Sequence, residues 1–154
     1  MNPTAPEIQQ LTDQEQIRHL IDAYAHNADR RNPAAQAALF TEDGRVTVYG
    51  GDPAVNEPAQ IVTGRAELEA AFSGLNAYAA TTHFNGQSTI TVSGDTATGE
   101  TYCLAHHLHD VDGVRTLMVM SIRYDESIVR VEGQWLFAER KLIIDWTDSR
   151  PSAG

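Results

Sequence analysis

From residue 81 onward the chain reads as four long segments parted only by tight turns, which leaves few folds open to it. Thr81 to Val92, Thr96 to His109, Val114 to Arg130 and Trp135 to Trp146 are rich in β-branched and aromatic residues. Ser93-Gly94-Asp95, Asp110-Val111-Asp112-Gly113 and Glu132-Gly133-Gln134 separate them. Connections this short join antiparallel neighbours, because a parallel crossover needs about a dozen residues or more. The second half is therefore expected to be an antiparallel meander.

The first half has a different period. Ile17, Leu20, Ile21, Tyr24, Ala25 and Ala28 recur at helical spacing, behind Thr12-Asp13-Gln14-Glu15, which has the form of a capping box. A helix is expected from about Thr12 to Arg31, where Asn32-Pro33 stops it and opens a second short helix to Phe40. Thr41 to Gly44 reads as a turn, Arg45 to Gly50 as a strand, Gly51 to Gln60 as a loop, Ile61 to Thr63 as a short strand and Arg65 to Leu75 as a third helix. Helices first and a meander second predict an α+β domain, with the long helix on a curved antiparallel sheet. That domain is expected over residues 12–148, with 1–11 and 149–154 as loose tails.

A chain of 154 residues can bury a core without staples. Its lone cysteine, Cys103, cannot form an internal disulfide and reads as a small buried hydrophobe. The net charge of -10, with no basic cluster, argues against nucleic acid and anionic membrane as partners. No basic-then-apolar leader and no apolar run of membrane-spanning length is present, so a cytoplasmic location is expected.

The chemistry-bearing residues narrow quickly. His106-His107-x-His109 is a poor metal set, because neighbours on a strand face opposite ways. No phosphate-cradling glycine loop or nucleophile elbow occurs, and no metal or other cofactor is expected. Tyrosine, aspartate and histidine remain. On the first helix Tyr24 lies near the centre of the apolar stripe and Asp29 at its edge, while His19 and His26 face away. Asp29 is open to two readings: a surface acid paired with Arg30 or Arg31, or the partner of a base in a cavity. The helix dipole disfavours a carboxylate there in either case. Cys103, Ala105 and His107 share one strand face and His106 the other, and the small side chains beside His107, which leave room for a ligand, favour it over His106 as the pocket histidine. Arg140 alternates with Leu136, Ala138, Leu142 and Ile144 and needs a carboxylate partner, either as a structural ion pair or at a pocket. Simple alternation turns His83 away from the face of Ile90 and Val92, but a bulge at Gly86 would reverse it.

Several segments together resemble a known family. These are Ile17 to Tyr24, Asp29-Arg30-Arg31-Asn32, Gly44 to Tyr49, Thr81-Thr82-His83-Phe84, Thr96 to His107, and Gly133-Gln134-Trp135 through Arg140. Over residues 12–148 the chain resembles the SnoaL-like branch of the nuclear-transport-factor-2-like superfamily, and within it the scytalone dehydratases, bile acid 7α-dehydratases and lindane dehydrochlorinases. The resemblance implies a cone-shaped α+β barrel with an enclosed pocket. It implies that His83 removes a proton, that Asp29 orients it, and that Tyr24 assists. Tyr49, His107 and Arg140, with Cys103 and Ala105, are the expected substrate-binding set. The implied activity is a cofactor-independent lyase, a dehydratase acting on a small, largely apolar carbonyl compound. An isomerase or cyclase with the same pair, or a non-catalytic binding or assembly subunit, are the alternatives. A homo-oligomer, trimer or dimer, is also implied.

Overall fold

The computed structural model describes residues 2–153. Its elements are α1 (Ala5–Asp29), α2 (Pro33–Ala37), β1 (Phe40–Tyr49), β2 (Gln60–Thr63), α3 (Arg65–Phe72), a 3₁₀ turn (Ser73–Ala77), β3 (Ala80–Ser93), β4 (Thr96–Val111), β5 (Val114–Val131) and β6 (Gln134–Pro151). No helix is long and apolar enough to cross a membrane among the described residues.

The first helix starts earlier than expected. The Thr-x-x-Glu pattern occurs twice, and the copy that begins the helix is Thr4-Ala5-Pro6-Glu7, where proline sits in the first turn. The Thr4 N–H and hydroxyl both donate to Glu7 Oε2 at 2.7 Å. Thr12 lies inside the helix and donates to the Ile8 carbonyl instead. The extra turns are anchored through Asp13, which accepts from Arg130 Nη1 at 2.6 Å and Trp135 Nε1 at 3.2 Å. Residues 5–11 are thus helical rather than a loose tail. At the other end Pro151 pairs with Thr116, so the last strand runs past the expected boundary. Asn32 caps α2 by accepting from the Ala35 N–H, although α2 is shorter than expected.

The sheet order is β2-β1-β6-β5-β4-β3. Strands β3 to β6 form the expected meander, but β1 pairs with β6 in parallel, so the sheet is mixed rather than antiparallel. It is also open, with β2 and β3 as free edges, rather than a closed barrel. Thr41 to Gly44 belongs to β1, where the register against β6 shifts between Phe40 and Arg45. Gly44 permits that shift: a Cβ there would stand 2.7 Å from the Phe40 Cβ.

Three further irregularities decide which side chains face inward. In β3, Asn85 pairs with Cys103 but Ser88 pairs with Thr101, so one extra residue sits near Gly86 and the facing reverses. In β6 the partners pass from Phe137–Ile128 to Glu139–Ser127, which makes Ala138 the extra residue. Trp135 and Phe137 are therefore buried before the bulge, and Arg140, Leu142 and Ile144 turn inward after it. Leu136 and Ala138 do not share the Arg140 face, contrary to simple alternation. A third bulge, at Asp145, lies between the Ile144–Ile122 and Trp146–Ser121 pairs.

The α1 stripe of Ile17, Leu20, Ile21 and Tyr24 packs on the inner sheet face around Phe40, Ile122, Ile128 and Phe137. At about 25 cal/mol per Å² of apolar area, such burial is the main stabilising term. Arg140 is at the centre of that core and is 0% exposed. It donates to Glu126, whose other oxygen accepts from Thr101. Its guanidinium stacks 3.8 Å from the Tyr124 ring centroid and 4.2 Å from that of Tyr24.

Candidate functional site

A cavity of about 330 Å³ opens between the inner sheet face, α1 and the α3–3₁₀ segment. This is at the small end of the range for ligand pockets. Aliphatic and aromatic side chains form most of the wall, among them Val46, Val62, Phe72, Leu142 and Ile144. Polar groups come from Tyr24 and Gln36 on the helices, Gln60 on β2, Tyr78 before β3, His83 on β3, His107 on β4 and Tyr124 on β5. No Lys, Arg, Asp or Glu side chain lines the cavity among the described residues.

His83 reaches this wall because of the β3 bulge, which makes it face inward together with Thr81. Its side chain is only 8% exposed. Asp29, the last residue of α1, lies directly behind it. Asp29 Oδ1 is 2.7 Å from His83 Nδ1, and Oδ2 accepts the His83 backbone N–H at 2.9 Å. Thr81 Oγ1 donates to Oδ1 at 2.9 Å. Burial pushes the Asp29 carboxyl upward, but the bonds from the His83 ring and main chain and from Thr81 outweigh it, and Asp29 titrates below the ordinary aspartate value. An ionised Asp29 accepts from Nδ1–H, which leaves Nε2 as the lone-pair nitrogen. The expected opposition of the helix dipole is thus overcome by three donors. Arg30 and Arg31 form no direct pair with Asp29 among the described ion pairs.

His107 lies across from this pair, its ring centroid 5.8 Å from that of His83. Burial, then the nearby His83, depress its pKa to about 4, so His107 is neutral at pH 7. Its Nδ1 is buried without a hydrogen-bond partner. The Tyr78 ring packs against it at 4.7 Å. Tyr24 is held edge-on by Phe40, Phe72, Tyr124 and Phe137, and burial raises its phenol pKa, so it acts as a neutral hydroxyl.

Of the residues expected at the site, the fold brings Tyr24, His83 and His107 to the cavity wall, with Asp29 immediately behind. It does not bring Tyr49, which follows the last inward residue of β1, Val48, and faces the other side of the sheet. Cys103 and Ala105 do face inward beside His107, but they are packed into the core and line no cavity. Burial raises the Cys103 thiol to about 11, consistent with packing alone. Arg140 lies in the core beneath Tyr24 and Tyr124, as the structural partner of Glu126. His106 takes the opposite sheet face. Sequence reasoning missed Gln36, Gln60, Tyr78 and Tyr124 on the wall, and Thr81 beside Asp29. Thr81 was accessible through period two from His83, whereas Tyr78 sits in a connection with no periodic signal.

The fold that carries this site is shared with known proteins. A family model described as "SnoaL-like domain" matches residues 9–141. No curated protein matches the sequence. Among solved structures, a protein of Novosphingobium aromaticivorans DSM 12444 provisionally named scytalone dehydratase is 27% identical, with a TM-score of 0.75 over 90% of this chain and 88% of that one. An NTF2-like protein with a cystatin-like fold, also from Novosphingobium aromaticivorans, is 29% identical, with a TM-score of 0.71 over 91% and 86%. A hexachlorocyclohexane dehydrochlorinase, LinA type 2, shares the fold at 19% identity, with a TM-score of 0.79 over 96% and 93%.

Proposed function

The chain belongs to the SnoaL-like domain family, and from that premise we propose that it is a small-molecule lyase that eliminates water from an apolar hydroxy-carbonyl compound. One observation carries the reading: a histidine in the wall of an apolar cavity has Nδ1 2.7 Å from a carboxylate that titrates below the ordinary range. Such a histidine presents Nε2 as a general base, and the carboxylate stabilises the imidazolium that forms. The names given to two structurally similar proteins, one provisionally a scytalone dehydratase and one a dehydrochlorinase, both denote eliminations and support the same class.

In the proposed reaction His83 Nε2 removes a proton from the carbon next to the substrate carbonyl. The C–H electron pair moves into an enolate, and neutral donors in the wall, Tyr24, Tyr78 or His107, hydrogen-bond the oxygen as charge develops on it. The enolate then expels the β-hydroxyl, which takes a proton from the His83 imidazolium and leaves as water. A wall without fixed charge favours a neutral substrate, because a carboxylate or ammonium would be desolvated without a partner.

The test is a panel of hydroxy-ketones in deuterium oxide, read by mass spectrometry. Loss of water that vanishes in His83→Ala supports the lyase. Deuterium uptake without mass loss indicates the isomerase or cyclase reading. Binding with neither, in a folded protein, would leave a non-catalytic module.

A further inference from the structure

Asp29 has a support that the proposed reaction does not use. Thr81 is buried two residues before His83 on the same face of β3. Its hydroxyl donates to Asp29 Oδ1 at 2.9 Å, and its oxygen accepts from Arg31 Nη1 at 2.8 Å. The same Nη1 donates to the Ala28 carbonyl at 2.9 Å, and Nη2 lies 3.5 Å from the Tyr78 carbonyl. Arg31 has φ +56°, a left-handed backbone that non-glycine residues adopt only at a cost. That one turn, just past the end of α1, folds the guanidinium back under the helix end. Arg31 has no direct carboxylate partner among the described ion pairs, so its hydrogen bonding reaches Asp29 only through Thr81.

A hydroxyl carries one proton. With Arg31 donating to the Thr81 oxygen, the Thr81 proton is aimed at Asp29. Oδ1 then holds two donors and Oδ2 holds the His83 main chain, which fixes the carboxylate in a single orientation. The Arg31 guanidinium also grips the segment whose Tyr78 ring packs on His107. The strained backbone, the two-bond relay and the lack of any other carboxylate for Arg31 are three separate observations with one explanation.

We propose that Arg31 and Thr81 are positioning residues: Arg31 orients the Thr81 hydroxyl, and Thr81 locks the carboxylate that keeps His83 in its Nδ1–H form. This rests on the reading of His83 as the base and adds the device that holds it ready.

The relay can be tested without a substrate. In protein labelled with ¹⁵N-histidine, the His83 Nδ1–H resonance is identified by its loss in Asp29→Asn. In Thr81→Val and Arg31→Met this proton should exchange with water at least about tenfold faster than in the wild type, the equivalent of one charge-assisted hydrogen bond. Thr81→Ser should keep the wild-type rate, and Arg31→Lys should fall between. On any substrate found, kcat should follow the same order with KM changed less. Thr81→Ala and Arg31→Gln serve if the first variants do not fold. Unchanged exchange in folded Thr81→Val and Arg31→Met, or a Thr81→Ser as fast as Thr81→Val, would overturn the proposal. Altered exchange in a protein that turns over nothing keeps the relay and removes the base. Unaltered exchange with His83-dependent turnover does the reverse.

Discussion

The Asp29 carboxylate holds His83 twice, the ring through Oδ1 at 2.7 Å and the main chain through Oδ2 at 2.9 Å. The strand and the imidazole are therefore positioned by one side chain at the end of α1. Asp29→Asn keeps the shape but offers an N–H where the ring needs an acceptor. A kcat loss of roughly 10³- to 10⁴-fold is expected, the effect of amide replacement behind a histidine base. The variant should also melt lower at pH 7. A carboxyl depressed on folding stabilises above its unfolded pKa, and that contribution fades as pH falls through the folded value. The melting deficit should shrink below about pH 4, and a constant deficit would contradict the assignment.

His107 predicts a separate pH dependence. Its folded pKa of about 4 lies below the ordinary 6.5, so the unfolded chain binds more protons between these values. Stability should fall as pH drops through this window and recover as it rises. His107→Gln, which cannot titrate, should flatten that part of the melting-temperature curve. An equally steep curve for the variant would show that His107 is not buried as a neutral ring.

The Glu126–Arg140 pair is expected to act as structure. Removing one partner leaves a buried charge and should cost about 3–5 kcal/mol in chemical denaturation. Glu126→Leu with Arg140→Met should recover most of that loss. If the double variant were as unstable as either single one, packing of the guanidinium between Tyr24 and Tyr124 would be the larger contribution.

The β3 bulge depends on an extra residue rather than on glycine itself. A Cβ at Gly86 would meet its nearest neighbour at 3.5 Å, an ordinary contact, and its φ is not left-handed. Gly86→Ala should therefore change stability by less than about 1 kcal/mol and leave the His83 Nδ1–H resonance in place. Deleting Gly86 should restore the regular ladder and turn His83 outward, which would abolish that resonance.

The outer sheet face carries a row of paired residues, Phe84, Leu104, Ser121 and Trp146, of which Phe84 is 68% and Trp146 52% exposed. Exposed large apolar side chains gathered in one row of this kind are expected to be covered by another copy of the chain. Light scattering should give an oligomer, and Phe84→Ser with Trp146→Ser should shift it toward monomer. A monomer mass for the wild type at micromolar concentration would contradict this.

What the sequence determined by itself is what depends on near neighbours. The α1 stripe, the stop at Asn32-Pro33 and the four-strand meander with its tight turns all follow from periods and turn residues, and all are present. The choice between two Thr-x-x-Glu boxes was not legible, because each satisfies the same local rule. Either box leaves Asp13 at a helical position, so its bonds to Arg130 and Trp135, more than a hundred residues away, hold the helix on the sheet without choosing between the boxes. The parallel β1–β6 pairing is likewise a long-range contact with no local signature. For the site, residue types and the Asp29 position were legible, but facing was not. A strand alternates strictly until one inserted residue reverses it: the bulge that glycine at position 86 made conceivable does turn His83 inward, while the one at Ala138, which no residue type signals, takes Leu136 off the face that Arg140 shares with Leu142 and Ile144. Tyr49 fails as a cavity residue because it faces the other side of the sheet, and Cys103 and Ala105 fail because composition cannot tell a face that looks onto empty space from one packed into the core. Only the packing of α1 on the sheet made that distinction, because a pocket is the volume that packing leaves unfilled.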